Sequence, residues 1–190
     1  MTTLNRKEEI IHAALNITAE KGTPNLTIAE IASKIGISDA AIYKHFKSKN
    51  DILMALIDLI GDGLTGILSD NTEKKPEERL VNILKKQLQL IEKNPGLPRL
   101  LFSDYVQVHD KALKEKMLKI IMSYINGIKA ILKDGISQKY FRDDLNPNAA
   151  AYAFLGLIQS NIIVWSLSDF SFSLTKTHSD IWQVLLKGLK

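Results

Sequence analysis

The sequence predicts an all-α fold of about nine helices, and three observations predict it. Apolar residues recur at three- and four-residue spacing along nearly the whole chain, and no segment shows the strict alternation of a half-buried strand. The apolar stretches are also separated by helix-stopping signals, among them Gly22 with Pro24, Gly36, Asn94-Pro95-Gly96 and Asn146-Pro147.

Taken in order, a first helix is expected from caps at Asn5 and Glu8, with Ile10, Ile11, Ala14, Leu15 and Thr18 on one face. Gly22 and Pro24 end it. A second helix starts at Thr27, where Glu30 completes a capping box, and carries Ile28, Ile31, Ala32 and Ile35. Gly36 supplies the left-handed position that stops it. Ser38 then caps a third helix through Ala40, Ala41, Ile42, Tyr43, Lys44 and Phe46. Ser48 and Asp51 open a fourth through Ile52, Leu53, Leu56, Ile57 and Ile60, with Gly61, Gly63 and Gly66 loosening its far end. Pro76 opens a fifth, stopped by Asn94-Pro95-Gly96. A short apolar helix over 97–108 and a long amphipathic one over 113–139 follow. Asn146-Pro147 starts the eighth, whose apolar run, 149–165, is broken by Gln159, Ser160 and Asn161 and reads as a helix buried on several sides rather than a membrane span. After a loop over 166–177, Thr177 and Asp180 cap a last helix with Ile181, Trp182, Leu185, Leu186 and Leu189.

Residues 26–49 carry the functional signal. Two short helices joined by a glycine turn form the helix-turn-helix pattern, and Lys44, His45, Lys47 and Lys49 follow with no acidic residue between them. Such a cluster suits phosphates. The start of the second helix of the pair should reach base edges: Ala40 and Ala41 offer contact only to thymine methyls, and Asp39 accepts from cytosine N4. Sequence selection therefore falls partly on Lys44 and on DNA shape.

This segment resembles the DNA-binding half of the TetR family of bacterial transcriptional regulators. Ile42-Tyr43-Lys44-His45-Phe46-Lys47-Ser48-Lys49 is similar to that family's recognition-helix ending, and Thr27, Ala32, Gly36 and Ser38 stand where the family places its cap, helix contact, turn and second cap. The run EKNPGLPRLL at 92–101, with Ser38-Asp39-Ala40-Ala41, resembles more narrowly the nucleoid-occlusion branch of the same family. The resemblance implies a three-helix DNA-binding domain over 1–48 and a helical effector-binding and dimerisation domain over 49–190. It implies phosphate contacts from Thr27, Tyr43, His45 and Lys49, and a homodimer on a palindromic double-stranded operator. The last two long helices would pair with their counterparts, placing Gly156, Ile162, Trp182 and Leu185 at the dimer interface. Phe102, Tyr105, His109, Met117, Ile121, Tyr124, Phe154 and Trp165 are candidate linings of a pocket for a small apolar effector. The expected consequence is a repressor released by its ligand; the alternative is a nucleoid-occlusion-type regulator acting through a protein partner.

Composition agrees with a globular chain of one or two domains: 190 residues, 45% apolar, formal charge +4. Residues 1–50 hold 7 Lys/Arg against 5 Asp/Glu and the remainder 18 against 16, so arrangement rather than net charge carries the nucleic-acid signal. There is no cysteine, and the start of the chain has acids where a secretory signal needs an apolar run, which predicts a cytoplasmic, nucleoid-associated protein. No glycine-rich phosphate loop, HExxH or nucleophile elbow is present, and His12, His45, His109 and His178 lie far apart. Neither a catalytic role, a metal nor a cofactor is expected.

Overall fold

A computed structural model describes residues 3–70 and 74–190, with side chains from residue 6 onward in the first helix. Among the described residues there are nine α-helices and no strand: α1 Thr3–Lys21, α2 Ile28–Ile35, α3 Asp39–Tyr43, α4 Lys49–Ser69, α5 Pro76–Lys93, α6 Gly96–Leu101, α7 Lys111–Ser137, α8 Pro147–Leu167 and α9 His178–Leu189. Two compact units gather these elements. The first takes the chain up to Gly61 and then Asn94–Leu118; the second takes Asp62–Lys93 and Lys119–Lys190.

In the first unit, α1 buries Ile10, Ala14, Leu15, Ile17 and Thr18, one turn-spaced stripe, against α2 and α6. Thr18 is accommodated there because its hydroxyl donates to the Ala14 carbonyl at 2.8 Å. Ile31 and Ala32 of α2, Ile42 of α3 and Ile52, Leu53, Leu56 and Ile57 of α4 complete this core. The expected cap at Asn5 falls outside the described side chains, and the backbone is already helical from Thr3. Gly22, at φ 79°, ends α1 as predicted.

Several expectations are corrected. α3 is a single short helix ending at Tyr43, since the His45 N–H turns back to the Ile42 carbonyl at 2.8 Å instead of continuing the ladder. α4 runs through all three glycines; Gly63 packs so closely on Leu90 that a Cβ would lie 2.7 Å from its Cδ2, so tertiary contact overrides weak helix propensity. The helix expected over 97–108 breaks after Leu101: Ser103 takes the Leu100 carbonyl with both its N–H and its hydroxyl, and a π-helical turn, Tyr105–His109, follows. Thr177 does not cap α9, because its hydroxyl donates to the Leu174 carbonyl.

In the second unit, α5 packs against α8 and α9, burying Leu80, Ile83, Leu84 and Leu88 together with Phe154, Ile158, Ile162 and Leu185. Asn146 caps α8 by accepting from the N–H groups of Asn148 and Ala149. α4 and α8 are both long and apolar enough to cross a membrane by length and composition. α8, however, is buried on one stripe only, Ala151, Phe154, Ile158, Ile162 and Trp165, rather than on several sides. Tyr152, Ile163, Val164 and Leu167 stand exposed on the remainder.

Candidate nucleic-acid interface

The helix-turn-helix is built by local hydrogen bonds that the sequence specifies. Thr27 Oγ1 accepts from the Glu30 N–H at 3.1 Å, which satisfies one orphan donor at the start of α2. The reciprocal half of the expected capping box is not made, since the Glu30 carboxylate turns to Lys21 of α1 and ties α2 to it. Gly36 adopts φ 68°, ψ 38°, and the Ile37 N–H reaches back to the Ala32 carbonyl at 3.0 Å, closing the helix with a left-handed cap. Ser38 Oγ then accepts from the Ala41 N–H at 3.3 Å and starts α3.

This leaves one face of α3 free. Ile42 is completely buried and anchors the helix, while Asp39 and Ala40 are exposed, Ala41 is half-buried and Tyr43 is 53% exposed. Tyr43 therefore presents its ring to solvent instead of packing into the core. Ser38, Lys44 and Thr27 are exposed and His45 half-buried.

The expected basic cluster on one helix end is divided in the folded chain. Lys44 and His45 follow α3 on a turn; the Lys47 N–H donates to Asp51 Oδ2 at 2.8 Å, and Ser48 Oγ accepts from the Asp51 N–H, so that Ser48 and Asp51 together cap α4. Lys49, the first residue of α4, turns inward. Its ammonium donates to the Thr23 carbonyl at 3.3 Å and lies 4.3 Å from the centroid of the Tyr105 ring. Partial burial pushes its pKa below the ordinary lysine value. Sequence reasoning missed this partnership because Tyr105 is remote in sequence and only the packing of α6 on α1 brings it near.

The candidate effector residues are distributed over both units. In the first, Phe102 and His109 are exposed, Tyr105 is half-buried and Met117 is buried; in the second, Ile121 is half-buried and Tyr124, Phe154 and Trp165 are buried. Tyr124 donates its hydroxyl to Gln87 Oε1, a buried polar pair in an otherwise apolar setting, and burial raises the phenol's pKa. Trp165 directs its indole N–H to the Phe172 carbonyl at 2.8 Å and its ring to Phe170, so its polar edge organises the loop after α8.

The candidate dimer residues also divide. Ile162 and Leu185 lie inside the second unit, at 2% and 6% exposure, Trp182 is half-buried and Gly156 is exposed. Large apolar residues that the sequence reading did not single out stand on the open side: Val164, Leu167 and Val184 are 58%, 80% and 60% exposed. For Val164 and Leu167 the signal was present in the sequence as the second apolar stripe of α8, and Val184 lies on α9.

Because Lys44 and Tyr43 are exposed and bear no core packing, Lys44→Ala and Tyr43→Ala are expected to leave the unfolding midpoint nearly unchanged while weakening duplex DNA binding. For Lys44→Ala the log–log salt slope should fall by about 1, since one cation is then missing from the protein–DNA interface. Thermal melts and salt titrations on the same samples separate the two effects.

Residues 10–56 match the profile of bacterial regulatory proteins of the tetR family. Residues 42–188 match that of the C-terminal region of YsiA-like proteins. Among curated proteins, the nucleoid occlusion factor SlmA of Vibrio cholerae serotype O1 is 26% identical over 190 residues, covering 98% of this chain and 97% of its own. The fatty acid metabolism regulator protein of Bacillus subtilis strain 168 is 26% identical over 183 residues, covering 95% and 94%. Among solved structures, the regulator FadR from Bacillus subtilis in complex with stearoyl-CoA superposes with a TM-score of 0.79 at 25% identity, over 96% of this chain and 99% of that one. The capped helix pair, its exposed reading face and these matches lead to one assignment: the chain belongs to the TetR family and is a DNA-binding transcriptional regulator.

Proposed function

We propose that a homodimer of this chain represses transcription in the cytoplasm by occupying a palindromic operator, and that a long-chain acyl group, carried as a thioester, releases it. The observation that carries the first half is the exposed start of α3, with Asp39 and Ala40 presented by the Ser38 cap beside Tyr43 and Lys44. Thr27, Tyr43, His45 and Lys49 are assigned to phosphates, Asp39, Ala40 and Ala41 to base edges, and Lys44 to both, its charge standing beside the phosphates that flank the base it reads. Functionally, residues 1–48 read DNA, with Lys49 at the boundary adding a phosphate contact, and 49–190 sense and dimerise.

The dimer is assigned to the open side of α8 and to α9, around Tyr152, Gly156, Ile163, Val164, Leu167 and Val184, since a row of exposed apolar side chains on two adjacent helices is what an isologous interface requires. The effector class is supported by the stearoyl-CoA carried by the Bacillus subtilis regulator and by the apolar character of Ile121, Phe154 and the surroundings of the Tyr124–Gln87 pair, which offers one polar anchor. Operator affinity measured against a panel of acyl-CoA chain lengths tests this reading: one chain-length class should lower affinity at least tenfold, with the operator weakening acyl-CoA binding by the same factor. No effect across the panel would remove the effector assignment.

A second reading is supported by the similarity to SlmA over 98% of this chain and by the 92–101 run. In that reading the DNA-bound dimer engages a cell-division protein. Capture of such a protein by the operator-bound chain, with no response to acyl-CoA, would favour it.

A further inference from the structure

We propose that the Tyr105 ring and the Thr23 carbonyl store the Lys49 ammonium, so that the π-helical turn sets how much of Lys49 is free to meet phosphate. This rests on the assignment of Lys49 as a phosphate contact. The ammonium is a single charge with two claims on it. It donates to the Thr23 carbonyl at 3.3 Å and sits over the Tyr105 ring, 4.3 Å from its centroid, within the range of a cation–π contact. Its proton is held less tightly than that of a solvated lysine, as expected of a charge partly withdrawn from water.

The next residue ties the same junction from the other side. Asn50 Nδ2 donates to Asp110 Oδ2 at 2.5 Å, and Asp110 Oδ1 accepts from the Leu113 N–H at 2.9 Å, at the start of α7. The first two residues of α4 thus hold the π turn, Tyr105–His109, near both of its ends. Such turns are rare and occur mostly as single turns at functional sites. Any rearrangement that moves the Tyr105 ring changes the competition for Lys49.

Binding of mixed-sequence duplex DNA, titrated over a range of salt, reads the competition. Tyr105→Leu removes the ring and should tighten binding about two- to fivefold across the salt range with the log–log salt slope unchanged, because Lys49 meets one phosphate in either complex and only the competing contact is lost. Tyr105→Phe keeps the ring and should restore wild-type behaviour. In the Lys49→Met background, Tyr105→Leu should have no effect. If Lys49→Met leaves the salt slope unchanged, the phosphate assignment fails and the storage proposal with it. If Lys49→Met flattens the slope while Tyr105→Leu weakens binding or leaves it alone, storage is overturned and the phosphate contact stands. NMR of the wild-type chain gives an independent reading: the Lys49 ε-methylene protons should be shifted upfield by the ring and return to ordinary positions on adding duplex, and a shift that persists in the complex would overturn storage.

Discussion

Leu167→Asp combined with Val164→Asp is expected to convert the protein to a monomer at micromolar concentration and to lower operator affinity on the order of 100-fold, because two half-sites then bind separately instead of as one linked pair. Both residues stand exposed on α8, so a charge at either position meets water in the monomer and should leave the melting transition of the isolated chain within a few degrees. A charge in place of Leu185 would be a different experiment. Leu185 is buried within the second unit, and aspartate there would unfold the chain, giving loss of DNA binding for the wrong reason. Sedimentation and operator titration on the double variant separate dimer loss from unfolding. A variant that remains dimeric would place the interface elsewhere.

The second large effect is expected at Gly96. A Cβ on this residue would fall 2.2 Å from the Leu15 carbonyl oxygen and 3.1 Å from its carbonyl carbon, both backbone atoms that no rotamer change can move. Gly96→Ala must therefore part α6 from α1, at a cost of about 2–4 kcal/mol. Two hydrogen bonds would go with it, since Arg99 donates to the Ala19 carbonyl and Thr23 donates its hydroxyl to the Arg99 carbonyl at 3.5 Å. The reading helices share this unit, so DNA binding should be lost at temperatures where the wild type still binds. Gly66→Ala is the natural comparison. It lies in the interior of α4 with nothing within 4 Å of an added Cβ, and it should stabilise by about 0.5–1 kcal/mol. One substitution with opposite signs at two glycines, measured by urea unfolding, checks the packing of α6 against α1.

These contrasts also mark what the chain discloses before it is folded. Thr27, Gly36 and Ser38 were legible because a cap or a left-handed turn is decided by a residue and its immediate neighbours. The continuation of α4 through Gly61, Gly63 and Gly66 was not, since it depends on a leucine of α5 filling the space beside Gly63. Likewise the break after Leu101 depends on which partner Ser103 chooses, a local competition that an apolar pattern does not reveal. For the site, the types of residue were legible and their directions were not. The basic run at 44–49 is continuous in sequence, yet Lys49 faces Tyr105 and the Lys47 backbone is occupied by Asp51. On α8 the sequence offers apolar residues for two faces without saying which is inward; packing against α5 assigns Phe154, Ile158 and Ile162 to the core and leaves Val164 and Leu167 outside.

The central claim, that α3 of a two-fold dimer reads sequence in double-stranded DNA, is tested most directly by selection of bound duplexes from a random pool by the purified protein. The account predicts enrichment of an inverted repeat whose half-sites lie about one helical turn, or a multiple of it, apart. It further predicts that Ala41→Asp, which places an acid on the reading face, abolishes that enrichment. Recovery of duplexes with no common sequence, or of a single unrepeated site bound equally well by the wild type and the Ala41→Asp variant, would contradict it.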